Sequence, residues 1–302
     1  MDAIVAGLTV LLLILLFLGS GVWVFIGLLL VSTSGLFLVL DFPAHRIGAI
    51  LGKILFRSAS SWELAAIPLF IWMGEILFRT RLAEDMFAGL APWMRRLPGR
   101  LLHVNILGCA IFAAVSGSSA ATTATIGRMS LPELRKRGYD ERMAIGSLAG
   151  SGTLGLLIPP SIILIVYGVS AELSIARLFI AGILPGAMLI ILFIGFVMIW
   201  ATLNKDKMPP AGPDMGFMEK VRASGRLIPV IVLIASVIGS IYGGIATPTE
   251  AAAFGVVGAL ILSAISGSLN RASFIDGLMG ATRTSCMIGF ILAGAAVLTV
   301  TM

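Results

Sequence analysis

The longest uncharged run in the chain covers residues 3–40, which contain no Asp, Glu, Lys or Arg. A helix crosses the hydrocarbon core of a bilayer with about 20 apolar residues, so this run is long enough for two spans. Gly19, Ser20 and Gly21 supply the break between them. Hydrophobic residues make up 58% of the chain and charged residues 12%, against about 25% in soluble proteins. The sequence therefore predicts an all-α polytopic membrane protein and excludes a soluble enzyme, a nucleic-acid-binding domain and a secreted disulfide scaffold.

Shorter apolar segments alternate with basic ones along the rest of the chain. Residues 41–63 have the pattern of an amphipathic interfacial helix, 64–78 form a short span that includes Glu75, and 79–100 form an Arg-rich surface arm. Further spans are predicted at 143–170, 175–202, 227–246, 250–266 and 284–302, and a polar loop that includes Met208–Pro213 at 203–226. Cys109 and Cys286 lie in apolar stretches and are predicted to be buried packing residues.

The segment 101–134 is predicted to be a re-entrant helical hairpin rather than a span. Its middle is rich in Ser, Thr and Gly, and irregular backbone at membrane depth must face protein or water. A hairpin returns both Arg-rich flanks to the same side of the membrane. All but four of the 21 Lys and Arg then lie inside, the four being Arg46, Lys53, Arg57 and Arg177. A crossing segment would leave more of them outside, so the positive-inside rule favours the hairpin, with the N-terminus outside.

The segment 143–170 is predicted to be a broken helix. It contains four small residues at 150–153 and then Pro159 and Pro160. Proline lacks a backbone N–H and biases the preceding residue away from helix. Unwound midpoints of this kind expose carbonyl groups to a cation and helix N-termini to an anion, as in secondary transporters.

Two groups of residues are candidates for binding Na⁺ and substrate. At the hairpin tip they are Ser116, Gly117, Ser118, Ser119 and Thr122, and at the broken helix Ser151, Gly152, Thr153, Pro159 and Pro160. The alternative is that these small and hydroxyl residues only allow tight packing.

Two acids in apolar segments and the two histidines also carry groups that could serve a site. Glu75 fits either an ion pair with Arg79 four residues on or a transport role. Glu250 is better explained by capping of a helix that begins beside Thr247. His45 and His103 are too few and too far apart for a metal site or a catalytic triad.

Several motifs, taken together and in order, resemble the large membrane subunit (DctM-like) of tripartite ATP-independent periplasmic (TRAP) transporters. The matching segments cover nearly the whole chain and are Ile67–Phe70, Ala114–Gly127, Leu131–Asp140, Gly155–Ser161, Leu178–Gly186 and Pro248–Ala253.

The resemblance implies a Na⁺-coupled secondary transporter in a bacterial or archaeal inner membrane. It would import an organic acid, such as a dicarboxylate, that a periplasmic solute-binding protein delivers, and a small four-helix membrane subunit would be its partner. No cofactor is implied, and Na⁺ is the coupling ion. A binding-protein-independent Na⁺/carboxylate carrier of the same type is the alternative within transport. An intramembrane enzyme is the alternative outside it.

The resemblance also implies an elevator-type fold, in which a mobile domain slides against a scaffold. On this basis residues 1–100 are N-terminal scaffold spans and amphipathic arm helices, and 101–170 are the first half of the transport domain. Residues 171–226 are a connecting span and cytoplasmic loop, and 227–302 begin a second repeat. The family has a second, inverted repeat with its own hairpin and broken helix, so we expect this repeat to be incomplete here and the chain to be truncated at its C-terminus.

Overall fold

The computed structural model describes residues 3–80, 82–210 and 216–301, and within these ranges the chain is helical, without β-strands. The α-helices are α1 (Ala3–Gly19), α2 (Val24–Leu38), α3 (Ala44–Ala59), α4 (Ala66–Phe78), α5 (Leu82–Met94), α6 (Leu102–Ser116), α7 (Ser119–Lys136), α8 (Glu141–Gly152), α9 (Ile162–Ser170), α10 (Ile175–Leu203), α11 (Phe217–Ser224), α12 (Ile228–Tyr242), α13 (Pro248–Ile265) and α14 (Arg271–Thr301).

Three helices among the described residues are long and apolar enough to cross a membrane: Ile175–Leu203, Pro248–Ile265 and Arg271–Thr299. Two bent helix pairs raise the number to five if each pair forms one span. They are Ala44–Ala59 with Trp62–Phe78, bent by 52°, and Phe217–Ser224 with Ile228–Tyr242, bent by 54°. This is the composition of a polytopic all-α membrane protein, as the sequence predicts.

The chain divides into two compact units, of which the first comprises residues 1–65 and 283–302. In this unit Val10, Leu13 and Val31 form a small core against which Leu298 packs. The rings of Phe25 and Phe290 lie 5.1 Å apart between centroids. The predicted break between the first two helices is present, because α1 ends at Gly19 and Gly21 has a left-handed φ of +80°.

The second unit comprises residues 66–282 and has α6 at its centre. Nearly every side chain of α6 is buried, including the fully buried Phe112 and Ile106. Helices α4 and α13 also pack closely, because a Cβ on Gly255 would lie only 2.5 Å from the Met73 sulfur. Small residues allow this approach, as they do between membrane helices generally.

Three boundary predictions from the sequence need correction. The Arg-rich stretch 79–100 is not only a surface arm, since α5 buries Met86 and Ala91. The predicted polar loop at 203–226 contains α11, which Trp93 anchors through a 2.7 Å hydrogen bond from its Nε1 to the Ser224 hydroxyl. Helix α11 buries Lys220 and leaves Phe217 and Met218 exposed, so its packing does not follow the apolar pattern of the sequence. Of the proline-rich part of this loop, residues 211–213 lie outside the described residues.

The last span begins well before the predicted residue 284, because α14 starts at Arg271. Asp276 and Arg283 interrupt the apolar pattern, but Asp276 lies 3.7 Å from the guanidinium of Arg79, which directly follows α4, and the helix continues through this paired charge. Cys109 is buried as predicted, whereas Cys286 is exposed. A position in an apolar stretch can face either lipid or protein, and hydropathy does not separate the two environments.

Candidate functional site

Helices α6 and α7 form a hairpin whose turn consists of Gly117 and Ser118. Gly117 has a φ of +58° and donates its N–H to the Ala113 carbonyl at 2.9 Å, which ends α6 in a left-handed cap. Ser118 is the N-cap of α7, and its hydroxyl accepts from the Ala121 N–H at 3.4 Å. The other end of the hairpin also closes, because the Leu101 N–H donates to the Tyr139 hydroxyl at 3.3 Å. The predicted helical hairpin is therefore present, with its tip where the sequence places it; its re-entry into the membrane stays a prediction.

Burial at the closed end of the hairpin has an electrostatic consequence. Tyr139 is buried between α7 and α8, and burial raises the pKa of its phenol. The hydroxyl therefore stays protonated and accepts the Leu101 N–H as a neutral group.

Hydroxyl groups bond to one another and to the backbone inside the tip. The Ser116 and Thr122 hydroxyls lie 2.8 Å apart, and both residues are buried. The Ser116 Oγ also accepts from the Ser118 N–H at 3.3 Å. The tip is therefore stabilised by hydrogen bonds among its own hydroxyl and backbone groups, none of which is charged.

The predicted break in the helix 143–170 is also present. Helix α8 ends at Gly152, a 3₁₀ turn follows at Thr153–Leu156, and α9 begins only at Ile162. Ser161 closes the gap by donating its hydroxyl to the Leu156 carbonyl at 2.6 Å. The carbonyls of the buried Pro159 and Pro160 accept no hydrogen bond from the residues that the structure describes.

The hairpin tip and the broken helix meet directly. The Ile162 N–H donates to the Gly117 carbonyl at 3.3 Å, and a Cβ on Gly117 would lie 2.8 Å from the Pro160 carbonyl oxygen. On the 3₁₀ turn, a Cβ on Gly155 would lie 2.7 Å from the Ser118 carbonyl carbon. Backbone is thus packed on backbone, and glycine is required on both sides of the contact.

The candidate residues predicted from the sequence separate into two groups. Near the contact lie Ser116, Gly117, Ser118, Ser119, Thr122, Pro159 and Pro160. Gly152 packs on α7 just beyond Thr122, whereas Ser151 and Thr153 are engaged elsewhere.

Ser151 lies away from the tip and serves the packing of α8. Its hydroxyl donates to the Ser147 carbonyl at 2.6 Å and reaches the Asn105 carbonyl at 3.4 Å. Asn105 precedes the end of α6 by eleven residues, or about 16 Å of helix. Thr153 is exposed and bonds to the Gly150 carbonyl at 2.6 Å. Gly152 packs on Thr123, whose hydroxyl lies 1.8 Å from the position of a Cβ at residue 152.

Gly74 and Gly155 contribute to this site and were not predicted from the sequence. A Cβ on Gly74, in α4, would lie 3.0 Å from the Ser116 Cα. Neither glycine has the positive φ that marks a turn, and what distinguishes them is the backbone packed against them, which no local signal in the sequence reveals.

Both intramembrane acids have partners in the structure. The Glu75 carboxylate lies 3.5 Å from the Arg79 guanidinium, which forms the predicted i,i+4 pair. The Thr247 N–H and hydroxyl each donate to the Glu250 carboxylate at 2.8 Å, and the Thr247 hydroxyl accepts from the Glu250 N–H. This capping box confirms the structural interpretation of Glu250.

A second concave surface lies near the other end of the hairpin. This groove of about 390 Å³ runs between α5 and α7 and is lined by Phe87, Ala91, Met129, Glu133 and Arg137, among others. Its charges are largely neutralised, since Glu133 and Arg137 pair with each other at 2.6 Å. The contact between the tip and the broken helix, where the Pro159 and Pro160 carbonyls accept no hydrogen bond from the described residues, is the better candidate for binding a small ion.

Residues 9–302 match the family model described as the DctM component of the tripartite ATP-independent periplasmic transporter. The chain is 31% identical over 263 residues to the C4-dicarboxylate TRAP transporter large permease protein DctM of Pseudomonas aeruginosa, covering 87% of this chain and 61% of that protein. It is 35% identical over 234 residues to the ectoine/5-hydroxyectoine TRAP transporter large permease protein UehC of Ruegeria pomeroyi. That match covers 77% of this chain and 54% of UehC.

A further relative is the 2,3-diketo-L-gulonate TRAP transporter large permease protein YiaN of Escherichia coli, which is 33% identical over 254 residues. That match covers 82% of this chain and 58% of YiaN. The chain thus spans somewhat more than half the length of these relatives, which are transporter permease subunits and not enzymes. The protein belongs to the DctM component family of tripartite ATP-independent periplasmic transporters.

Proposed function

We propose that this chain is part of the large permease subunit of a Na⁺-coupled importer of organic acids. The hairpin tip and the broken helix would together bind Na⁺ and face the substrate carboxylate. The observation that carries the proposal is the hydrogen bond from the Ile162 N–H to the Gly117 carbonyl, which joins these two elements. Substrates named for the relatives include C4-dicarboxylates and 2,3-diketo-L-gulonate, both of which carry carboxylates.

The donor set at this contact suits a small hard cation. The Pro159 and Pro160 carbonyls have no hydrogen-bond donor among the described residues, and the Ser116 and Thr122 hydroxyls lie close to Gly117 in the chain. Unwound carbonyls coordinate Na⁺ in secondary transporters, and helix N-termini receive the carboxylate. The N-terminus of α7, which begins at Ser119, supplies that positive end.

Transport would proceed by an elevator movement within a bacterial or archaeal inner membrane. The partners would be a small four-helix membrane subunit and a periplasmic solute-binding protein. The contact of Leu101 with Tyr139 supports the proposed topology, because it brings the two Arg-rich flanks of the hairpin together. A topology reporter at Lys136 is expected to give a cytoplasmic signal, and a periplasmic signal would contradict this arrangement.

The test of the site compares Na⁺ dependence in two serine variants. Ser118→Ala removes a hydroxyl at the tip, and Ser236→Ala removes one from α12, where it bonds to the Leu233 carbonyl at 2.8 Å. We expect Ser118→Ala to raise the Na⁺ concentration for half-maximal succinate uptake by about tenfold, equivalent to roughly 1.4 kcal/mol. Ser236→Ala should leave it unchanged. Uptake is measured in proteoliposomes that contain the permease with its small subunit and binding protein, and protein amounts are matched.

Equal Na⁺ dependence in both variants would remove the tip from the ion site. Uptake that is independent of added binding protein would favour the binding-protein-independent carrier. If succinate is not transported, Na⁺-dependent thermal stabilisation of the purified protein, with K⁺ as the control ion, tests the ion site without a substrate.

A further inference from the structure

Helix α3 carries its basic residues in a single row. Arg46, Lys53 and Arg57 are spaced i, i+7 and i+11, which at 100° per residue places them within about 40° of one another. We call these three residues the basic stripe; it extends along about 16 Å of helix. No Asp or Glu occurs between residues 42 and 62.

The basic stripe lies on the exposed side of an amphipathic helix. Arg46, Lys53 and Arg57 are all exposed, whereas Ile47 is buried. The half-buried positions continue this apolar side and are Ile50, Leu51, Ile54 and Leu55. The helix therefore has one side that packs on apolar surface and a charged edge that does not.

Exposed aromatic residues accompany the stripe. Phe56 and Trp62 are 77% and 74% exposed, and the Arg46 guanidinium carbon lies 4.1 Å from the centroid of the Phe42 ring. Trp is enriched at membrane–water interfaces, where its ring sits at the level of the headgroups. The nearest acid after the helix, Glu63, accepts a 2.7 Å hydrogen bond from the Ser61 hydroxyl.

Membrane orientation does not account for the basic stripe. In the proposed topology α3 lies on the outer side, and the only other basic residue there is Arg177. The positive-inside rule works against three charges on that side. A ligand with negative charge would offset this cost.

We propose that the basic stripe binds the phosphate groups of anionic phospholipids and so holds α3 in the membrane interface. Each Lys or Arg near an anionic lipid surface favours binding by about fivefold, so the three together give on the order of a hundredfold. A lipid surface fits better than an acidic protein surface, because Phe56 and Trp62 are exposed beside the charges and can enter the boundary between headgroups and acyl chains.

The experiment measures hydrogen exchange of the full chain in nanodiscs of phosphatidylcholine, with or without 30% phosphatidylglycerol. We expect the backbone amides of residues 44–59 to exchange at least threefold more slowly with phosphatidylglycerol, and this protection to fall at high salt. The combined variant Arg46→Gln, Lys53→Gln and Arg57→Gln should abolish the difference. A matched variant that also loses three exposed charges, Lys136→Gln, Arg142→Gln and Lys207→Gln, should retain it.

Exchange in residues 102–136 serves as the folding control, since α6 is buried within the other compact unit. Equal exchange of residues 44–59 in the two lipid mixtures would overturn the proposal. So would protection that persists in the stripe variant, or protection that appears only when a periplasmic binding protein is added. The single variants provide a graded check, because each should remove about one fivefold factor of lipid affinity.

Discussion

Helices α6 and α10 are both strongly apolar, yet they occupy opposite environments. In α6 all but two of the 15 residues are buried, including the polar His103, Asn105 and Ser116. In α10 only six of the 29 residues are buried, and Leu184, Ile191 and Leu203 are highly exposed. The more hydrophobic helix is therefore the more exposed one.

This difference in burial follows from the lipid that surrounds the protein in place of water. Lipid tails are as apolar as Leu, so a helix gains nothing by moving its Leu side chains from lipid into protein. Polar side chains gain partners there: the Asn105 Nδ2 donates to the Ala144 carbonyl at 3.2 Å and to the Ser147 hydroxyl at 3.0 Å. In a membrane protein, small and polar residues therefore mark the interior better than hydrophobicity does.

The largest expected effect is loss of a buried ring from α6. Phe112→Ala should lower the free energy of unfolding by about 3–5 kcal/mol, because a fully buried Phe leaves a cavity. Phe196→Ala in α10 removes a ring that is 61% exposed and should change the free energy of unfolding by no more than about 0.5 kcal/mol. Denaturant unfolding in matched detergent micelles measures both. Similar losses of unfolding free energy in the two variants would contradict the difference in burial between α6 and α10.

A single added methyl group distinguishes the hairpin contact from the surface of α10. Gly155→Ala places a Cβ 2.7 Å from the backbone of Ser118 and should cost about 1–3 kcal/mol of stability. A Cβ on Gly195 has no neighbour within 4 Å, so Gly195→Ala should be stabilising by about 0.5–1 kcal/mol. The shift in thermal unfolding should therefore have opposite signs. A shift of the same sign would mean that the tip can yield to the extra methyl group.

The smallest expected difference concerns amide side chains. Asn105→Ala removes two buried hydrogen bonds and should cost about 1–3 kcal/mol, because the partners on α8 lose a donor. Asn204→Ala removes one bond, to the Trp200 carbonyl at 2.9 Å, at the half-buried end of α10. We expect Asn204→Ala to lower the free energy of unfolding by less than about 0.5 kcal/mol, since water replaces the lost donor. Equal unfolding free energies for the two variants would show that Asn105 does not join α6 to α8.

Local features of the sequence predicted the hairpin tip and the helix break well. Gly117 adopts the left-handed conformation that glycine favours, and Ser118 caps the following helix. Pro159 and Pro160 lie in the gap between α8 and α9. Each of these outcomes depends on the residue itself and its immediate neighbours, so a single sequence is enough to predict it.

Predictions that depend on distant partners were less successful. The predicted last span starts at 284, directly after Arg283, whereas α14 starts at Arg271 and continues through Asp276, which pairs with Arg79. Among the candidate site residues, Ser151 shares the small, polar character of Ser116 but contributes to helix packing far from the tip. The site assignment itself stays a prediction until Na⁺ dependence is measured.

An all-α membrane protein, the positions of its helix breaks and its hydroxyl-rich turn can all be predicted from the amino-acid sequence. Which of these breaks touch depends on the tertiary fold. The Gly117 carbonyl and the Ile162 N–H are separated by 45 residues of chain and meet because Gly74 and Gly155 allow the backbone to approach the tip. Helical periodicity is a local property, whereas such a contact requires space on several helices at once, and no single segment encodes it.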